Sequence, residues 1–374
     1  MKALSELQSY LLYYGSILFA SIFAGIAQKA KYIRKGKYVI NPFFWIVSFM
    51  CLLIPAAFRG LGVDHVNYLS AYRTISGYGW NYFKAYKGFP EPLYAVINVI
   101  AGYLGDFQYV YIISAFISLF FTYKAFARKV DEINLAMCVW MFSTLFYLNL
   151  FGLVRMCIAV GIITYAYRYI EEGNFIKYTL YVTISTLFHY SAIIMLPLYF
   201  IYKSNYLNII REKSLKKSCL SLGILILIFC ISNYVINMFG GRFSWLERYA
   251  GYFEGSSIAV INNSAGQYPL IILMLVFGRC INQKERYGTL YLNMLITMII
   301  FLFGSIFVSF MRLTYYFYPA TYYLYSYITK YINDSRMRIL YKYAIFIVMS
   351  LWFLYRFTSD LWGPFLVPYY FNLP

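Results

Sequence analysis

The sequence predicts an all-α fold, a polytopic transmembrane bundle of about twelve spans with one further short helix that lies at the interface or re-enters. Three observations carry this. Apolar runs of roughly 17 to 22 residues recur from end to end, each long enough to cross a hydrocarbon layer of about 30 Å as a helix. The composition is 62% hydrophobic, 22% aromatic and only 12% charged, with a mean hydropathy of +0.61, which does not describe a soluble core. Lysine and arginine fall in short clusters between the apolar runs, the pattern of residues retained on the cytoplasmic side of a membrane.

Five basic clusters act as fixed points: Lys29 to Lys37, Lys124 to Lys129, Lys203 to Lys217, Arg279 to Arg286 and Arg336 to Lys342. With all five placed inside, the consistent spans are 10–28, 41–58, 106–126, 132–150, 152–170, 175–189, 190–203, 218–239, 267–281, 288–309, 313–330 and 342–359, and both termini lie outside. The first run, Tyr10 to Gln28, is too long for a signal-peptide core and its positive residues follow it, so it reads as a mature helix. Pro92 to Gly105 is apolar but short, and counting it as a span would turn the later basic loops outward. The hairpin 175–203 bends at His189, a bend that needs burial in protein or contact with a water-filled cavity. The whole chain, 1–374, reads as a single integral-membrane domain. Two longer outer stretches, 59–91 and 240–266, contribute to the site.

The formal charge of +18 is dispersed among these loops rather than gathered on a tail or face, which argues against a nucleic-acid partner. Six cysteines sit in or beside apolar runs with no C-x-x-C spacing, and with only two histidines no metal site or cofactor is expected. Asn262-Asn263-Ser264 matches a glycosylation acceptor, a match common by chance.

On this topology Arg59, Asp64, His65, Glu91, Arg155, His189, Arg242, Arg248 and Arg312 all fall at or beyond the outer interface. Each has a plain reading. Arg59 and Arg312 end spans and snorkel; Asp64 caps a turn in RGLGVD; Glu91 before Pro92 is a favourable acid at a helix N-terminus; His189 is a core histidine bonded at a bend. Arg155, about one turn inside its span, is the least comfortable of them and the strongest functional candidate. Together they suit a polyanion, because guanidinium forks bind phosphate oxygens at any depth while a carboxylate or imidazole nearby supplies a base.

These residues carry a resemblance. FRGLGVDHVNY at 58–68, Glu91-Pro-x-Tyr94, FGLVRMCIAVGI around Arg155, FHYSAIIMLP at 188–197, MRLTYYF at 311–317 and Pro368-Tyr369 are similar, in content and order, to the EpsG-like branch of the Wzy-type bacterial polysaccharide polymerases. Met156 stands where the family usually has Gln, and His65 where it has Tyr or Thr. The resemblance implies a fold of the GT-C type and an inner-membrane glycosyltransferase that joins lipid-linked oligosaccharide repeat units, carried on undecaprenyl diphosphate, into O-antigen, capsule or exopolysaccharide. It implies membrane lipids as surroundings, and a flippase and a chain-length regulator as pathway partners.

Within that reading Arg155 and Arg312, supported by Arg59, hold the departing pyrophosphate, while Asp64, Glu91 or His189 is the base. Acceptor glycan lies along the outer loop that holds Trp245, Arg248, Tyr249 and Tyr252. A flippase for the same lipid-linked sugars, an O-antigen ligase and a membrane acyltransferase are the competing readings. The lack of internal repeats and the crowding of charge at one interface disfavour a transporter.

Overall fold

The computed structural model describes residues 2–34, 36–85, 91–203, 312–358 and 363–374, and these are mostly helical, as expected of an all-α membrane protein. The expected spans 218–239, 267–281 and 288–309 and the loop 240–266 lie outside the described residues. The chain forms two compact units, Met1–Leu196 with Tyr325–Pro374, and Pro197–Leu324.

The first unit opens with α1 (Glu6–Lys29), whose Ser5 and Gln8 form a capping box that satisfies two of the helix's orphan N–H groups. A hairpin of β2 (Tyr32–Arg34) and β3 (Lys37–Val39) returns the chain into α2 (Pro42–Ala57), which Asn41 caps and Pro42 starts. The described part of the stretch 59–91 holds α3 (His65–Tyr78) and the single turn α4 (Tyr82–Ala85). Then α5 (Pro92–Leu104) begins at a proline and ends at Gly105, whose φ of 89° is the left-handed stop that the short-helix reading requires. α6 (Gln108–Ala127), α7 (Leu135–Leu145), α8 (Val154–Glu172), α9 (Phe175–Phe188) and α10 (Met195–Lys203) follow, and after residue 311 come α11 (Tyr318–Tyr331), α12 (Ser335–Thr358) and α13 (Gly363–Leu366).

By length and composition, α1, α6 and Ser335–Phe357 of α12 are long and apolar enough to cross a membrane; α2, α5, α7 and α9 are apolar but shorter. Several expected spans have different bounds. The run 132–150 yields α7 and then a 3-10 turn, Tyr147–Phe151, in which the Asn149 N–H donates to Phe146 O at 2.8 Å and the Gly152 N–H to Asn149 O at 3.1 Å, three residues back rather than the four of an α-helix. The last helix starts at Ser335 rather than 342, since the Asp334 carboxylate caps the N–H groups of Arg336 and Met337 and draws that basic cluster into the helix. The run 190–203 likewise starts with a 3-10 turn, Tyr190–Ile194, before α10.

α8 is the central helix, packed between α6 and α9 and buried along nearly its whole length. Hydroxyls tie it on both sides: Ser118 Oγ on α6 donates to Cys157 O at 2.8 Å, and Ser185 Oγ on α9 donates to Ala159 O at 3.0 Å. Small residues allow this approach. A methyl at Gly161 would stand 2.5 Å from the Ser118 carbonyl oxygen, which is backbone and cannot swing aside.

Both described chain ends close the same end of the first unit. β1 (Lys2–Ala3) pairs antiparallel with β4 (Tyr370–Phe371), Gly60 N–H donates to Tyr370 O at 2.6 Å and Asn372 N–H to Phe58 O at 2.9 Å. The Asn372 amide also donates to Gln108 Oε1 at 2.9 Å, and Gln108 Nε2 donates to Ala57 O and Arg59 O.

Because α6 and α8 meet backbone to backbone at Gly161, Gly161→Val is expected to cost about 1–3 kcal/mol through overpacking. Thermal unfolding in detergent checks it, with the exposed Gly77→Ala on α3, where an added methyl meets open space, as the neutral comparison.

Candidate active site

Three helix ends converge on one carboxylate. Glu91 is the residue before α5, Arg155 is the second residue of α8 and His189 is the last-turn residue that closes α9. The Arg155 guanidinium donates through Nη1 to Glu91 Oε2 at 2.6 Å, and His189 Nδ1 meets Glu91 Oε1 at 2.6 Å. The Glu91 side chain is only 8% exposed, whereas those of Arg155 and His189 are 43% and 27% exposed, so the acid is the buried keystone and its two partners face outward.

Burial pushes the Glu91 carboxyl up, but the His189 hydrogen bond and the charges of His189 and Arg155 outweigh it and hold the group below its ordinary range. The positive end of α5 acts in the same direction. An ionised carboxylate only accepts, so the proton in the bond to His189 resides on Nδ1, and in the neutral ring Nε2 then carries the lone pair. Among the described residues Nε2 has no hydrogen-bond partner.

The floor beneath these groups is apolar and aromatic. Tyr68, Tyr94, Val154, Ile158 and Phe188 belong to one buried cluster drawn from α3, α5, α8 and α9. The rings of Tyr68 and Tyr94 lie 5.9 and 5.7 Å from the Arg155 guanidinium carbon, so the partly exposed cation has a carboxylate on one edge and two aromatic rings beside it.

Arg59 lies elsewhere. It is 3% exposed, donates through Nη1 to the Leu150 carbonyl and stacks over the rings of Tyr111 and Phe151 at 4.0 and 4.9 Å. From the other side Arg356 of α12, also buried, donates to Leu145 O at 3.3 Å and Asn149 Oδ1 at 3.1 Å. Two arginines therefore satisfy the non-helical turn from which α8, and with it Arg155, departs. The loop of the RGLGVD motif seals that turn: Val63 N–H donates to Phe151 O at 3.2 Å, and a methyl at Gly62 would stand 2.2 Å from that oxygen. Gly62 thus serves close backbone approach.

Asp64 is half-buried at the N-terminus of α3; its side chain makes no cap, and among the described residues it has no ion-pair partner. His65 Nδ1 meets the Tyr111 hydroxyl at 3.0 Å, and burial, aided by the Arg59 charge, pulls its pKa below the ordinary value. Arg312 is half-buried and belongs to the second unit. Arg242, Trp245, Arg248, Tyr249 and Tyr252 lie outside the described residues. The sequence reading missed Tyr111 and Arg356; an arginine inside the apolar run 342–359 was the available signal for the second.

The family model described as EpsG family matches residues 42–371, nearly the whole chain. The protein belongs to the EpsG family. The match spans Arg59, Glu91, Arg155 and His189 together with the described C-terminal strand. Membership in the EpsG family supports a membrane protein of polysaccharide biosynthesis with polymerase-type activity. No curated protein and no solved structure matches the chain.

The lowered pKa of Glu91 fixes a sign. Its ion pairs contribute fully above the ordinary value of 4.5 and are lost as pH falls through the lower folded value. The unfolding temperature of the wild type in detergent is therefore expected to exceed that of Glu91→Gln at neutral pH, and the gap to close on acidification below that ordinary value.

Proposed function

We propose that this EpsG-family protein polymerises lipid-diphosphate-linked oligosaccharide repeat units into a surface polysaccharide at the outer face of the bacterial inner membrane. The single observation that carries the reading is the Glu91 carboxylate holding a cation and an imidazole side by side at one end of the first unit. The rest of the proposed architecture is about twelve spans in an arrangement of the GT-C type, with both termini outside.

In this reading Arg155 faces the diphosphate of the donor. A diphosphate is already a good leaving group, so it needs its developing charge neutralised more than it needs a proton. The His189 imidazole, oriented by Glu91 at Nδ1, presents Nε2 to the acceptor hydroxyl. As the acceptor oxygen bonds to the donor's anomeric carbon, its proton passes to Nε2, and the anomeric C–O bond breaks with its electron pair leaving on the lipid diphosphate. Both Glu91 oxygens are engaged, so Glu91 serves as the orienting acid. Asp64, without an ion-pair partner among the described residues, remains as a contact for acceptor hydroxyls. Arg59 acts from beneath, by holding the turn that sets the start of α8. Arg312 is the second diphosphate contact, and Arg248, Tyr249 and Tyr252 line the path of the acceptor glycan.

The test is complementation of a strain lacking the native gene, with the glycans on the lipid carrier resolved by length. His189→Gln is expected to lower polymerisation by about 10²–10⁴, and Arg155→Lys, which keeps the charge but loses the fork, by about 10²–10³. Single repeat units should accumulate, already exposed outside the cell. A wild-type ladder from both variants at normal protein levels would sink the assignment. Units trapped inside would indicate a flippase, and long unattached chains a ligase.

A further inference from the structure

At the end of α8 remote from Arg155, about 20 Å along the helix axis, a second group of cations stands over aromatic rings. Lys124 of α6 lies 5.1 Å from the Tyr165 ring centre, Arg168 of α8 lies 4.4 Å from that of Tyr169, and Lys177 of α9 lies 6.0 Å from the same Tyr169 ring. The rings form one packed set: Tyr169 stacks on Tyr181 at 5.3 Å, and Tyr165 meets Tyr181 edge-on at 5.2 Å. Three helices thus contribute one cation each to a shallow groove floored by tyrosine.

The acids nearby are already engaged. Glu171 binds Lys129 at 2.8 Å, while Glu172 binds Arg128 at 3.2 Å and Arg168 Nε at 3.4 Å. Among the described residues neither Lys124 nor Lys177 has a carboxylate partner, and both are exposed. The excess positive charge of the groove is therefore unbalanced among the described residues. The neighbouring helix surface is lipid-like: Phe120 of α6 and Leu180 of α9 are exposed large hydrophobics.

We infer that the groove formed by Lys124, Arg168 and Lys177 over Tyr165, Tyr169 and Tyr181 binds the headgroup of an anionic phospholipid. The basic clusters assign this end to the cytoplasmic leaflet, where acidic headgroups meet basic pockets between membrane helices. A phosphodiester takes the two ammonium groups and the Arg168 Nη2, the guanidinium being held by Glu172 at Nε and by the Tyr165 hydroxyl at Nη1, and its acyl chains lie along the apolar flanks. The tyrosine faces hold the cations in place before the lipid arrives. This site is separate from the Glu91 set and does not depend on the reaction assigned to it.

The test uses the whole chain, reconstituted in phosphatidylcholine nanodiscs with and without phosphatidylglycerol, then released into detergent for native mass spectrometry. The wild type is expected to retain phosphatidylglycerol in preference to phosphatidylcholine. Lys124→Gln and Lys177→Gln are each expected to lower that retention about fivefold, and Arg336→Gln, an exposed cation on α12, to leave it unchanged. Unfolding temperatures in phosphatidylcholine alone verify that the variants are folded, and either single variant suffices to read the site. Equal retention of the two lipids by the wild type, or unchanged retention in both lysine variants, overturns the inference. Displacement of the lipid by excess inorganic phosphate also overturns it, since it assigns the groove to a free anion.

Discussion

A carboxylate with 8% of its side chain exposed would lose most of its hydration on folding, and a lone ion in such a place would take up a proton instead. Glu91 stays ionised because an arginine and a histidine reach it from two other helices, one to each oxygen. That single requirement fixes a great deal. It sets the start of α5 against the start of α8 and the end of α9, and it determines which imidazole nitrogen carries the proton. The partners gain as well. Arg155 keeps outward-facing donors without tumbling toward solvent, and His189 keeps one defined tautomer. An isolated ion pair at a surface has little such authority; a buried acid shared by two residues has it because leaving either partner unpaired is costly.

The support for this keystone is laid in a second tier. α8 cannot start where it does unless the chain leaves α7 through a buried non-helical turn, and every backbone carbonyl in such a turn needs a donor. Arg356, Arg59 and the Val63 N–H supply donors at Leu145, Leu150 and Phe151. Arginine suits the task because its charge survives burial and its plane lies flat on Tyr111 and Phe151. Charged residues in an apolar chain thus divide by depth: those deepest bind the protein's own carbonyls, and those nearer the surface remain available to a ligand.

Much of this was legible in the sequence. Apolar run length gave the helices α2, α6, α8 and α9 to within about two residues and α1 from its fifth residue on, and the short apolar run from Pro92 to Gly105 is the short helix α5. Glu91, Arg155 and His189 were each visible as charges in unlikely company. Their mutual bonding was not, because the three lie 64 and 34 residues apart, and no periodicity reports which helix ends meet. The break at 146–153 escaped for a related reason. Its composition is as apolar as a helix interior, and the carbonyls met there find their donors on two arginines far along the chain. Helix starts read from hydropathy alone were late wherever a polar cap extended the helix beyond its apolar run, as Asp334 does for α12. Arg59 looked like a span end ready to snorkel, and only its aromatic neighbours show that it points inward.

The pairing of β1 with β4 has a consequence for how the protein is made. The Arg59 loop takes hydrogen bonds from, or gives them to, residues 370 and 372, which emerge from the ribosome more than 300 residues after it. Until then β1 has no partner, the Phe58 carbonyl awaits its donor and the Leu4 N–H awaits its acceptor. The loop that carries Arg59 therefore closes on this side only once residues 370–372 have been made, long after the helices that flank it.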